Sequence, residues 1–187
     1  MSFETLVTGE KIIILKQKPQ VQFLNNWYVF YTYPRAEKSV YLELVKREYE
    51  VFLPIKKVLK LWANRQKKWV DQVLFPSYIF VNTQHCELHN ITKTPKIVSN
   101  ICCGKTPSII ASKEIDGIKK MLNLDQDIFI ETNFSKGEKV RVVCGPLIGH
   151  EGILLNQKGK TRFGIQLKEI NHTVFIDVCA SMLEKVK

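Results

Sequence analysis

The chain changes its hydrophobic rhythm part-way along. "NWYVFYTY", residues 26–33, is an aromatic and β-branched run that predicts a rich strand. Pro34 then opens a predicted amphipathic helix, "PRAEKSVYLELVKREY", since proline is tolerated in a first turn. Ala36, Val40, Leu44 and Val45 share one face of it, while Arg35, Glu37, Lys38, Glu43 and Lys46 take the other. "EVFLPI" reads as a second strand with an edge proline. "VLFPSYIFVN", Val73 to Asn82, reads as a third. Its Phe75, Tyr78, Ile79, Phe80 and Val81 are too apolar for a strand with one wet face. Either the protein covers both faces itself, or one waits for a partner. "ELHNITKT" predicts a short helix, "KIVSNICC" a strand, and "SKEIDGIKKML" a closing helix with Ser112 as N-cap. The order strand–helix–strand–strand–helix–strand–helix predicts an α+β sandwich of roughly 100 residues.

At "NLDQDIFIETN" (123–133) the composition turns acidic, and the stretch reads as a linker. Everything beyond it is β in pattern: "EKVRVVCG", "GILLNQ", "RFGIQLKEI" and "HTVFIDV" are short runs parted by turn residues. Val140, Val142 and Cys144 alternate with Lys139, Arg141 and Val143. Short strands at even spacing predict a small barrel. The expected organisation is a loosely held arm at 1–25, an α+β domain at 26–123, a linker at 124–133 and a barrel at 134–187.

Charge narrows the function. The net charge is +10, which favours polyanionic neighbours. It is concentrated in "KKVLKLWANRQKKW", Lys56 to Trp69, which carries six basic residues and no acid. The apolar run Ile12 to Leu15 is too short for a secretory or membrane segment, so a cytoplasmic protein without membrane contact is expected. Five cysteines without a Cys-x-x-Cys pair argue against a disulfide framework or a zinc knuckle, and read as small buried filler. "GKT" at 104–106 lacks the upstream glycine and following helix of a phosphate loop. His85 and His89 are spaced for a metal only on a helix, and no carboxylate beyond Glu87 completes a ligand set. With no nucleophile–base pattern either, the expectation is a monomeric binding protein with no catalytic residue, metal or cofactor.

Here the residues resemble a known family. "WYVFYTYPRAEK", "VFLP", the basic segment and "LFPSYIFV", in that order, resemble the amino-terminal domain of NusG-type transcription elongation factors. "FSKGEKVRVVCGPLIGHEGILL" is similar to a KOW motif, with Gly137, Gly145, Gly149 and Gly152 at its turns. The resemblance implies a NusG-type α/β sandwich with an antiparallel sheet, followed by a small SH3-like β-barrel. Phe75-Pro76-Ser77-Tyr78 stands where general members read Phe-Pro-Gly-Tyr. That wording is closer to the RfaH type and to the capsular polysaccharide antiterminators of Bacteroides.

The resemblance also implies partners and sites. Tyr31, Phe75, Pro76, Tyr78 and Phe80 match positions at or beside an apolar hollow that grips the clamp helices of the RNA polymerase largest subunit; the same residues fit a core equally. Arg35 and Lys38 would face non-template DNA of the transcription bubble, or simply form a solvated helix face. Lys56, Lys57, Lys60, Arg65, Lys67 and Lys68 would form a hairpin reaching upstream DNA, with Trp62 and Trp69 interleaved and Trp62 available to stack on a base. In the barrel, Gly145, Gly149 and Gly152 would supply turn conformations. The loop Lys168–His172, with Ile170 exposed, would meet a ribosomal small-subunit protein or Rho. The function implied is suppression of pausing and termination in specific long operons; an RNA-binding KOW protein of translation or ribosome assembly is the alternative.

Overall fold

The computed structural model describes residues 24–62, 65–124, 126–134, 137–157 and 159–186. Nearly all of the expected arm at 1–25 lies outside them. The first part of the chain runs β1 (Asn26–Thr32), α1 (Glu37–Lys46), β2 (Glu50–Phe52), β3 (Ile55–Leu61), β4 (Lys67–Val73), β5 (Tyr78–Thr83), α2 (Leu88–Thr92), β6 (Ile97–Asn100), β7 (Cys102–Cys103), β8 (Thr106–Pro107), β9 (Ile109–Ile110) and α3 (Ser112–Leu122). The second part runs β10 (Ile128–Thr132), β11 (Glu138–Val142), β12 (Glu151–Gln157), β13 (Lys160–Leu167), β14 (His172–Asp177) and β15 (Leu183–Lys185).

The first sheet has the order β2-β5-β1-β6, with β9 also pairing β1, all antiparallel. Its side chains divide by parity, as the pleat requires. Tyr28, Phe30, Ile79 and Val81 pack with Val40 and Leu44 of α1 and with Leu88 and Ile91 of α2. Trp27, Val29 and Phe80 point the other way, into a cluster with Ile115, Ile118 and Met121 of α3. The same cluster continues into Val140, Phe163, Ile165, Leu167, Ile170 and Val174 of the second part. Both faces of β1 and β5 are therefore covered by the protein itself, which answers the question their sequence raised.

The second sheet is an antiparallel, barrel-like unit with the order β10-β14-β13-β12-β11-β15. The fold is thus a helix-bearing antiparallel sheet followed by a barrel-like β unit, the class expected from the sequence.

Several local expectations are corrected. The helix begins at Glu37 rather than Pro34, and Val45 is exposed. Glu37, expected on the wet face, is buried. Ser112 is the first helical residue of α3, follows an extended Ala111 and makes no cap hydrogen bond. Within the expected linker, Ile128–Thr132 forms β10 and pairs with β14 from Ile128↔Ile176 to Thr132↔His172. All five cysteines are exposed rather than buried, and all are free thiols.

Candidate functional site

Tyr31, Phe75, Tyr78 and Phe80, expected at an apolar hollow, cluster their rings on one face of the first sheet. Register puts Tyr31 opposite Tyr78 and Val29 opposite Phe80. Ring centroids of Tyr31 and Tyr78 lie 5.5 Å apart, those of Phe75 and Phe80 5.7 Å, and those of Phe52 and Phe80 6.0 Å, each an edge or tilted contact favoured by aromatic quadrupoles. The face is not open, however. Phe75 and Phe80 are fully buried, Tyr78 is half-buried, and only Tyr31 and Pro76 are exposed. The cover comes from α3 and from the barrel. His172 sets its ring 5.5 Å from Phe75 and 5.9 Å from Tyr78. Ile170, expected as an exposed barrel contact, is buried in the joint cluster.

The loop entering β5 explains how these rings are aimed. Tyr78 N–H donates to Phe75 C=O at 3.2 Å, closing a turn with Pro76 second and Ser77 third. Ser77 has φ 66°, the left-handed conformation that this turn demands at its third position and that glycine adopts without strain. Its buried N–H donates to Glu37 Oε1 at 2.7 Å. Glu37 thus ties the start of α1 to the root of β5. Helical periodicity could not reveal it, because a carboxylate aimed at a backbone donor looks like any exposed one in sequence.

The seam between α3 and the barrel is tight and imperfectly paired. A Cβ on Gly117 would overlap Ile165 Cδ1 and come 2.9 Å from His150 Cδ2, so these two barrel side chains would have to shift to admit one. His150 Nδ1 lies 3.0 Å from Leu147 C=O; a carbonyl only accepts, so Nδ1 carries the proton. His150 Nε2 and Glu169 Oε2 are buried without a hydrogen-bond partner among the described residues. Burial pushes the Glu114 carboxyl of α3 above its ordinary range, and the Glu169 carboxylate adds to this.

The basic segment forms a two-stranded hairpin, β3 with β4, separate from both larger sheets. Lys57, Lys60, Arg65, Lys67 and Lys68 are exposed, and Lys56 is partly buried and donates to Gln126 C=O. Trp62 and Trp69 are 56% and 66% exposed, unlike the buried phenylalanines of the sheet. Lys38 Nζ lies 3.1 Å from Asp71 Oδ2, joining the start of α1 to the hairpin. The structure therefore gathers Lys38, Lys57 and Lys68 around one cleft with both indoles. Arg35 is exposed with φ 63° just before α1 and is not part of the cleft lining. Of the barrel glycines, Gly145 (φ 86°) and Gly149 (φ 79°) take left-handed turns as expected. Gly152 does not: it lies in β12, where a Cβ would strike Gly164 C=O and Phe163.

Residues 25–119, just over half of the chain, match the NusG family model, described as "Transcription termination factor nusG". The chain belongs to the NusG family. A relative from Pseudomonas aeruginosa named "Transcription termination/antitermination protein NusG" is 28% identical over 177 residues, covering 86% of this chain and 98% of its own. One of the same name from Halalkalibacterium halodurans is 23% identical over 176 residues, with the same two coverages. A solved structure described as "Domain interaction in Thermotoga maritima NusG" shares the fold, with TM-score 0.50, 17% identity and coverage of 87% of this chain and 98% of that one. No helix among the described residues of this NusG-family chain is long and apolar enough to cross a membrane.

Proposed function

We propose that this chain is a transcription elongation and antitermination factor that rides on RNA polymerase. Its membership of the NusG family over residues 25–119 carries the reading, supported by relatives of matching length named for termination and antitermination. The β1–β5 aromatic face is the proposed seat of the clamp helices of the polymerase's largest subunit, with Tyr31, Phe75, Pro76, Tyr78 and Phe80 as contacts. An apolar surface that takes a pair of amphipathic helices is a recurring recognition mode. The exposed cations at the start of α1 and along the hairpin are the proposed DNA contacts. Ser77, where general family members read glycine, fits a specialised member serving particular long operons.

The two proposed partner surfaces cover each other: His172 of the barrel loop lies against Phe75 and Tyr78. Polymerase binding therefore requires the barrel to leave, and its departure frees the 168–172 loop, including Ile170, for a small-subunit ribosomal protein or Rho. Transcription reconstituted across a terminator tests the core of this reading. Read-through should rise when the protein is added; unchanged read-through overturns it. Tyr31→Ala should weaken retention of polymerase, by up to about thirtyfold if Tyr31 is a central anchor, with little change in melting temperature. Retrieval of ribosomal particles instead of polymerase would hand the function to an RNA-binding role in translation.

A further inference from the structure

A cavity of about 590 Å³ lies between the barrel and Leu124 and Gln126, and none of the residues assigned to polymerase, DNA or the ribosome lines it. Val142, Leu147, Ile176 and Val178 give it an apolar wall. Three sulfur side chains share that wall: Cys144, Cys179 and Met182. Local structure brings them together. Met182 N–H donates to Cys179 C=O at 3.0 Å and closes the 3₁₀ turn Ala180–Met182, and residues three apart on such a turn lie one above the other. Val143 N–H donates to Met182 C=O at 2.9 Å, which sets Cys144 beside the same turn. The Met182 side chain leans towards it, since its methyl carbon would lie 2.7 Å from a Cβ on Gly145, the neighbour of Cys144. Both thiols are free and exposed.

We infer that this corner of the barrel binds one soft monovalent metal ion of the copper(I) type, held by Cys144 Sγ, Cys179 Sγ and Met182 Sδ. The donors choose the metal. Thiolate and thioether sulfurs are soft and polarisable, and they suit copper(I), whereas magnesium, calcium and manganese take oxygen. A structural zinc site takes four ligands drawn from cysteine, histidine and carboxylates. Among the described residues no three of His, Cys, Asp and Glu stand together to hold a metal. The third donor here is a thioether, which lies outside the ligand set of zinc and inside that of copper(I). Each thiol binds as its thiolate, so uptake of the ion releases two protons. The donors come from the loop after β11 and the turn before β15, strands already paired from Val140↔Lys185 to Val142↔Leu183. A bound ion therefore staples the end of that ladder and stabilises the folded barrel by mass action.

The test uses the full, reduced chain carrying Cys86→Ser, Cys102→Ser and Cys103→Ser, because those exposed thiols would bind copper(I) as well. Copper(I) is titrated without oxygen in competition with the chelator bathocuproine disulfonate, and silver(I) is run beside it as a redox-inert stand-in. One ion per chain should be held against the chelator, with the ultraviolet absorption of a thiolate–copper bond. The melting temperature should rise with the concentration of free ion. Adding Cys144→Ser or Cys179→Ser should abolish that binding and that rise, while the circular dichroism stays as it was. Met182→Leu, a swap that conserves volume, should surrender the ion at a chelator concentration that the parent withstands. Excess zinc should not displace the ion. Retention of the ion by both serine variants, or unchanged affinity in Met182→Leu, puts the metal elsewhere and overturns the site. Displacement by zinc overturns the choice of metal and the thioether's part in it. Failure of the parent to hold either copper(I) or silver(I) removes the inference altogether.

Discussion

Two aromatic surfaces in this chain meet opposite fates. On the first sheet, Phe75 and Phe80 lie beneath α3 and the barrel with no exposure, while on the hairpin Trp62 and Trp69 stay more than half exposed. Aromatic content does not separate them; their surroundings do. The sheet residues sit among Val29, Ile115 and Ile118, where the only good neighbour is another apolar group. The hairpin indoles sit among lysines, whose ammonium groups must stay in water and hold any apolar cover away. One surface is covered by protein, and the other is left to solvent.

The largest expected effect tests that contrast directly. Phe80→Ala should cost about 3–5 kcal/mol of fold stability, because it empties a closed site. Trp69→Ala should stay within about 0.5 kcal/mol of the parent. Thermal unfolding of both variants decides, and a Trp69 variant that melts as early as the Phe80 variant would collapse the distinction.

Next in size is the seam that supplies the cover. Gly117→Val should be overpacked by about 1–3 kcal/mol and should push the barrel off α3 without unfolding either unit. Protease should then cut faster within 124–133, and the near-ultraviolet signal of the covered rings should weaken. An unchanged cleavage rate would mean that α3 does not anchor the barrel.

How much of this was legible follows from the range of the interactions. The faces of β1 and α1 follow local periodicity, and the hairpin announced itself as a basic run around tryptophans. The cover over Phe75 did not, because His172 lies about a hundred positions away and nothing near Phe75 encodes it. Strand β10 was hidden by its acidic flanks, although Ile128, Phe129 and Ile130 carry a strand composition. The exposed cysteines escaped because thiols pack well in either setting. Asp71 and Glu37 looked like ordinary surface acids, since their meaning lies in partners brought from another element.

A smaller effect sharpens the covered side. Ser77→Gly should stabilise the fold by about 1 kcal/mol, the usual cost of a left-handed residue with a Cβ. A urea midpoint that rises checks it; a fall would mean that the serine side chain contributes more than the strain it imposes.

The smallest effect is a pH dependence at the seam. Glu114 is raised above its ordinary value of 4.5, chiefly by burial, so the docked state binds its proton more readily than the open state does. Its contribution to docking is full below about pH 4.5 and is lost as the pH rises through the raised value. Glu151 and Asp177 are lowered by hydrogen bonds from Arg141 and Lys160, so acidification weakens the barrel itself through them. The difference between the parent and Glu114→Gln isolates the seam. The variant should dock more firmly at neutral pH, with no such gap in acid, as read by protease sensitivity across the pH range.

The unpartnered atoms at that seam bear on how long the docked state lasts. A buried polar atom without a partner costs about 1–3 kcal/mol, and His150 Nε2 and Glu169 Oε2 are two such atoms. Each recovers hydrogen bonding to water on separation, so part of the apolar gain of closure is returned when the barrel lifts. Every 1.4 kcal/mol withheld in this way allows about a tenfold faster escape, if the approach rate is unchanged. The seam between α3 and the barrel thus holds less firmly than its apolar contacts alone would make it.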